Sequence, residues 1–380
     1  MRDQYRDIPE DQRLHGSARF AGPTTLLVGD DIRVEARAVI VATGASPQIP
    51  ASLKAARALM HTHETLFDIE ALPASLAVVG AGPLGLEMAQ AFARLGVAVT
   101  VLDNSDKLGL LTDSQAEQVA RRAFEKDFAI YLGVTVDAVM DGSKARLSWS
   151  GDSAGAAAVD MVLTATGREP KLAGLDLGTA GIETDDKDVP SFDPHTHRCG
   201  DTSVFLAGDA DIWRPVLHEA ARGGTTAGLV AVRGAPLPQR PALSIAFTEP
   251  NLVQVGTKFD ELPDGAIVGT AAAVNDARSG IDGELEGLAR LYAAPSGKLL
   301  GGTIVLTGGE HLGQSLALAI DRDMDAASFC RSGLVSSRSR GDASSGSTRH
   351  RSASSELGRK TPLRRQVVAL DEGTRWCPLI

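Results

Sequence analysis

Cysteine is absent from the first 198 residues of this 380-residue chain, and Cys199, Cys330 and Cys377 stand far apart. That spacing excludes both a CxxC pair and a disulfide framework, and a reducing, cytoplasmic setting is expected. Aromatic residues are only 4% of the chain, against 43% hydrophobic residues overall, a balance that suits closely packed α/β layers. No apolar run reaches the roughly 18 residues of a membrane span, so no membrane partner is expected. The opening MRDQYRDIPEDQR has no apolar stretch of the kind a secretory signal carries. Positive charge is scarce outside the last 50 residues. Those carry ten Lys+Arg against four Asp+Glu, a balance of +6 that leaves −16 on the first 330 residues of a chain whose net charge is −10. A body that acidic points away from nucleic acid.

What the chain does carry is concentrated in SLAVVGAGPLGLEMAQAFARLGVAVTVLD, Ser75 to Asp103. An apolar run from Leu76 to Val79 ends at Gly80, Gly82 and Gly85. A helical pattern follows from Leu84 to Arg94, then a β-rich run from Ala98 to Leu102 that stops at Asp103. Strand, GxGxxG, helix, strand and acid, in that order, make a dinucleotide-binding unit. Gly80 permits the tight turn, Gly82 lets backbone approach a pyrophosphate, and Gly85 lets the helix pack against the strand. The free N–H groups and positive dipole end at the start of that helix suit phosphates. Asp103 stands near the spacing of about 20 residues at which an acid holds a ribose 2′-hydroxyl. An acid there repels a 2′-phosphate, so NAD is expected rather than NADP. Lys107 lies close by but outside the usual place for a phosphate clamp.

Elsewhere, 18–28 and 32–42 read as short strands, Asp113 to Asp127 as an amphipathic helix, and Met161 to Thr164 as a strand. Two strand–ATG–x–x–P elements, at 42–47 and 165–170, are the nearest thing to a repeat and suggest two similar nucleotide-binding layers. Val204 to Leu206 reads as a buried strand ending in AGDAD, followed by a helix over Val216 to Val232 and a Pro-rich linker. From Ser244, runs at 252–256, 288–293 and 299–306 precede a helix near 310–320, the pattern of a separate α+β domain. After Cys330 the composition turns rich in Ser, Arg and Gly, too poor in apolar residues to bury a core, and disorder is expected. His195, His197 and Cys199 in HTHRCG offer no fourth ligand, so no metal is expected.

Together ATGASP (42–47), GAGPLGLE (80–87), ATGREP (165–170), FLAGDA (205–210), LHEA (217–220) and FTEP (247–250) resemble the pyridine nucleotide-disulfide oxidoreductases, with the dihydrolipoamide dehydrogenase and mercuric reductase branch most similar. The resemblance spans about residues 14–330. It implies an α/β protein with two Rossmann-like nucleotide-binding domains, the FAD domain incomplete, and an α+β dimerisation domain. The implied boundaries are a partial FAD-binding domain over 1–71, an NAD-binding domain over 72–195, a returning FAD segment over 196–240, a dimerisation domain over 241–330 and a tail over 331–380. It also implies the cofactors FAD and NAD, and electron transfer between NAD(H) and a small disulfide or dithiol, or a lipoyl-bearing protein, in a homodimer. By resemblance, Gly80, Gly82, Pro83, Leu84, Gly85, Glu87, Asp103 and Gly167 belong to the NAD site. Thr43, Gly44, Ala45, Asp209, Val216, Leu217 and His218 belong to the FAD site, with Asp209 on the ribityl chain. Glu87 would pair with a lysine beside the flavin, or be an ordinary exposed helix acid, and Asp209 could equally be a plain turn aspartate.

The departures are as informative. The family's first GxGxxG unit, its CxxxxC redox pair, its flavin lysine and its closing His-Pro-Thr-x-x-Glu are not found. The expectation is a chain shortened at its front and aberrant after Cys330. Without paired thiols, internal thiol–disulfide exchange has no route. Activity is therefore expected to be impaired, and a non-catalytic, dimerising NAD(H)-binding remnant or a decayed reading frame stands as the alternative.

Overall fold

The alternation of short apolar runs with glycine turns in the first half of the chain builds sheets, and the longer apolar runs of the second half build one larger sheet. The computed structural model describes residues 8–186, 188–211, 213–214, 216–273 and 286–331. The Ser/Arg-rich tail after 331 lies outside the described residues, as does Cys377. Two compact units emerge, residues 1–106 with 129–240, and residues 107–128 with 241–380.

In the first unit, the run read as one strand over 18–28 is a hairpin, Ala18–Phe20 (β1) and Thr25–Val28 (β2), because Gly22 and Pro23 turn the chain. Ile32–Glu35 (β3) completes that small antiparallel sheet, and Val39–Val41 (β4) is a separate element. Ala45–Pro47 (β5) and Met60–His61 (β6) lead to Ser75–Val79 (β7), the helix Pro83–Arg94 (α1) and Ala98–Leu102 (β8). Pro at the first helical position starts α1 without sacrificing a bonded N–H. The next helix, Ser114–Phe124 (α2), is capped by Asp113, whose carboxylate accepts from the amides of Gln115 and Ala116.

Ala129–Tyr131 (β9) returns to the first unit. Val134–Asp141 (β10) and Lys144–Gly151 (β11) alternate buried and exposed residues across a two-residue turn in which Gly142 adopts φ +61. Gly155–Val159 (β12) adds a third strand, and Met161–Thr164 (β13) is buried throughout. The order β6-β13-β7-β8-β9 makes a five-stranded parallel sheet. Its central strands are continuous apolar runs, as strands covered on both faces must be. Arg168–Pro170 (β14) pairs antiparallel with β5, and Val204–Leu206 (β15) pairs parallel with β4. Helix Leu217–Arg233 (α3) covers Phe205 of β15 through Ala227 and Val230. Among the described residues the second nucleotide-like layer is thus two strands wide, against five in the first.

The second unit is built on Leu243–Ala246 (β16), Asn251–Gly256 (β17), Ile267–Ala272 (β18), Leu288–Ala293 (β19) and Leu299–Leu306 (β20). They form an antiparallel sheet in the order β16-β17-β20-β19-β18. Gly309–Asp321 (α4) buries Leu316 and Ala319 against it, and the short Ala326–Arg331 (α5) buries Phe329. Residues 107–128, read from sequence as part of the nucleotide domain, group instead with this second unit, α2 included. The reason is a buried ionic knot. Arg290 of β19 donates through Nη1 to Asp113 Oδ1 at 3.1 Å, and its Nε lies 3.0 Å from Oδ2. The Tyr292 hydroxyl is 2.9 Å from the same carboxylate and 2.8 Å from Thr303 Oγ1, which donates to Gln254. Burial raises the Tyr292 pKa, so the phenol stays protonated.

Candidate functional site

The GAGPLG loop sits at the carboxyl end of β7, in the middle of the parallel sheet, where a ligand of such a sheet binds. Gly80 has φ +112 and donates its N–H to the Leu102 carbonyl at 2.8 Å. A Cβ there would stand 2.3 Å from the Ala165 carbonyl oxygen, and one on Gly85 would stand 1.9 Å from the Gly80 carbonyl oxygen. Both close approaches need glycine. Gly82, just before Pro83, is the opposite case: no atom lies within 4 Å of where its Cβ would be. The loop is packed tight on its protein side and open where a pyrophosphate would approach the start of α1. Leu84 and Glu87 are half-buried in the first turns of that helix, while Gly85 is buried.

Asp103 lies beside this loop at the end of β8. Its carboxylate accepts from the Ala81 amide through Oδ2 and from the Ser105 amide through Oδ1 at 2.8 Å. The acid therefore also fastens the glycine loop in place, a task its spacing did not reveal. Lys107 is paired with Asp260 at 3.4 Å in the second unit. Gly167, at φ +103, follows the segment that Gly80 packs against.

The residues assigned by resemblance to a flavin gather around β4, β5 and β15. Gly44 has φ +72, with open space where a side chain would stand, and Thr43 is exposed. Ala45 is buried, 3% exposed, so only its backbone is available. Asp209 follows Gly208, which has φ +65, in the turn after β15. Its Oδ2 is 2.8 Å from Nη1 of Arg168, whose Nη2 donates to the Ala45 carbonyl at 3.0 Å. Val216 caps α3, Leu217 is 89% exposed and His218 is exposed.

A family model described as pyridine nucleotide-disulphide oxidoreductase matches residues 8–227. The chain belongs to this family. It is 31% identical to a dihydrolipoyl dehydrogenase of Halobacterium salinarum over 81% of its own length and 68% of that protein. It is 27% identical to a mercuric reductase of Lysinibacillus sphaericus over 80% of itself, but spans only 58% of that relative. Among solved structures, the HOCl-induced flavoprotein disulfide reductase RclA from Escherichia coli superposes with a TM-score of 0.73 at 18% identity, covering 86% of this chain and 76% of that one. At that identity the likeness establishes the fold alone.

Within this family member, the thiols are poorly placed for exchange. Cys199 is buried, and burial pushes its pKa up to about 11, while Cys330 is half-buried; neither is in a disulfide. His197 of the same HTHRCG stretch is buried with φ +59, stacked on Phe192, its Nδ1 3.3 Å from Asp211. Among the described residues no group of three or more His, Cys, Asp or Glu is arranged to hold a metal. Two residues of this neighbourhood were given no role from the sequence. Arg168 stood inside the ATGREP element without one, and Arg214 pairs with Glu219 at 3.2 Å and lies 4.2 Å over the Trp213 ring.

Proposed function

We propose that this chain is an FAD- and NAD-dependent oxidoreductase of the dihydrolipoamide dehydrogenase type, competent to bind NAD(H) and impaired in disulfide chemistry. The carrying observation is the glycine loop, tight at Gly80 and Gly85 and open at Gly82, with Asp103 at its side. Those residues fit a dinucleotide. The α1 N-terminus and the Gly82 backbone would face the pyrophosphate, and Asp103 would accept a ribose hydroxyl and disfavour a 2′-phosphate, hence NAD. Gly167 would line the same site.

Around Asp209 the residues fit the ribityl end of FAD: a strand-end carboxylate that can accept several hydroxyls, and open space over Gly44. For the adenosine diphosphate end, the described residues offer no second strand–glycine loop–helix. When bound, FAD supplies the two-electron relay between nicotinamide and a second substrate. The chain's own part is to orient: Thr43, Gly44 and the Ala45 backbone would line one side, Asp209 would hold the ribityl chain, and the turn at Val216, Leu217 and His218 would border the ring. Glu87 would stand toward the flavin from α1.

A disulfide or dithiol remains the proposed substrate class, after the dihydrolipoyl dehydrogenase and the flavoprotein disulfide reductase among the similar proteins. The cysteines available favour a lesser activity, oxidation of NADH by a bound flavin alone. A second reading is a non-catalytic NAD(H)-binding protein that pairs with itself through residues 241–330, favoured by the two-stranded width of the β4–β15 layer. One spectrum separates the two. Purified protein is scanned in the visible range, then after adding FAD, then after NADH. A flavin band that bleaches with NADH supports the oxidoreductase; no retained band in excess FAD leaves NAD(H) binding only.

A further inference from the structure

Arg168 is the first residue of β14 and is none of the glycines or acids of the motifs, yet its side chain joins three of them. It begins the strand after the second ATG, donates to Ala45 of the first ATG element, and pairs with Asp209 of AGDA. The backbone beneath it is pinned on both sides. Gln48 donates to the Gly167 carbonyl at 3.0 Å, Thr166 Oγ1 donates to the Gln48 carbonyl at 2.8 Å, and Lys171 donates to the Gly44 carbonyl at 2.8 Å. A guanidinium anchored in this way presents its fork with little freedom left to lose.

We propose that Arg168 is the positioning residue for Asp209. It orients the carboxylate that would receive a flavin's ribityl hydroxyls, and it ties that carboxylate to the segment bearing Gly167. This rests on the reading of Asp209 given above. Only Oδ2 of Asp209 is engaged by Arg168, which leaves Oδ1 for hydroxyl donors. Exposed ion pairs contribute little on their own. With the Asp209 side chain 22% exposed and the guanidinium held by a second bond, the consequence of this pair is direction. The segment continues back through Ala165, whose carbonyl packs on Gly80, so one short stretch of backbone runs from the Asp209 partner to the dinucleotide loop.

The test is a double-mutant cycle read by FAD affinity, measured from quenching of FAD fluorescence by the full chain. R168Q is expected to weaken FAD about tenfold, the size of one charge-assisted hydrogen bond. D209N is expected to weaken it at least as much, and R168Q in the D209N background to add less than about twofold, because residues acting through each other are not additive. R168K, which keeps the charge and loses the fork, falls between wild type and R168Q. Thermal melts of each variant identify any that fails to fold, and R168K carries the comparison if R168Q is such a variant. Unchanged affinity in R168Q, or additive losses in the double variant, overturns the inference while leaving the Asp209 reading intact. Wild-type protein that binds no FAD, or D209N that binds as wild type, overturns the Asp209 reading and this inference with it.

Discussion

The two five-stranded sheets of this chain make opposite use of polar groups. The parallel sheet of the first unit keeps its interior apolar from Leu76 to Val79 and from Met161 to Leu163, and places Asp103 at a strand end beside an open loop. The antiparallel sheet of the second unit carries Arg290, Tyr292, Thr303 and Gln254 in its interior and engages them with one another and with Asp113. A half-buried carboxylate at a strand end, beside a loop that is open at Gly82, can serve a ligand. A polar group buried among protein partners serves the fold. The difference separates two buried or half-buried aspartates, Asp103 and Asp113, that composition alone treats alike.

The sharpest way to break this contrast is at Asp113. Asp113→Ala leaves the Arg290 guanidinium buried without its carboxylate, and should destabilise the second unit by about 3–5 kcal/mol. Denaturant unfolding checks this, and a D113L/R290M pair should cost less than D113A alone, since it removes both charges. Next in size is Gly85→Ala. Its methyl would collide with the Gly80 carbonyl, so NADH binding followed by nicotinamide fluorescence should fall by about a hundredfold or more, the cost of roughly 3 kcal/mol of displaced loop. Asp103→Ser should lower NADH affinity about tenfold and narrow the gap between NADH and NADPH. Equal losses for both nucleotides would mean that the acid serves only to fasten the loop.

The smallest effect concerns acid. Asp160 accepts from the amide and hydroxyl of Ser75 at the start of β7, at 3.0 and 2.6 Å, and pairs with Lys144. The Ser75 hydroxyl bond is the main reason its carboxyl is held below the ordinary 3.8. A depressed folded value gives stability that is complete above 3.8 and is lost as pH falls through the lower folded value. Asp160→Asn should flatten that acid limb of the melting curve and leave the melting point near pH 7 lowered by little. An unchanged acid limb would remove Asp160 from the account.

Much of the nucleotide layer was legible in the sequence. The strand Ala98–Leu102 and the strands Leu288–Ala293 and Leu299–Leu306 stand where periodicity and punctuation put them, and the helix read from Leu84 begins one residue earlier, at Pro83. These signals are local, carried by side-chain alternation, apolar runs and the special backbone of Gly and Pro. The hairpin at 18–28 was missed because its turn residues lie inside an otherwise continuous β-like run. Asp113 was legible as a helix start and nothing more, because its partner Arg290 is 177 residues away. The partner of Arg168, which stands in the quoted ATGREP, was invisible for the same reason, since Asp209 lies 41 positions further on and no spacing rule connects them.

The sequence by itself determined that a dinucleotide loop exists and which acid stands after it. Those properties reside in residue type and short-range order, and glycine at 80 and 85 is required by backbone contacts that the motif already encodes. Only the tertiary structure decided where charges meet: that residues 107–128 join the second unit, that Asp103 clasps Ala81, and that Arg168 closes on Asp209. Ion pairs and hydrogen bonds act over about 3 Å of space with no regard to sequence distance, so the folded chain alone can assign them.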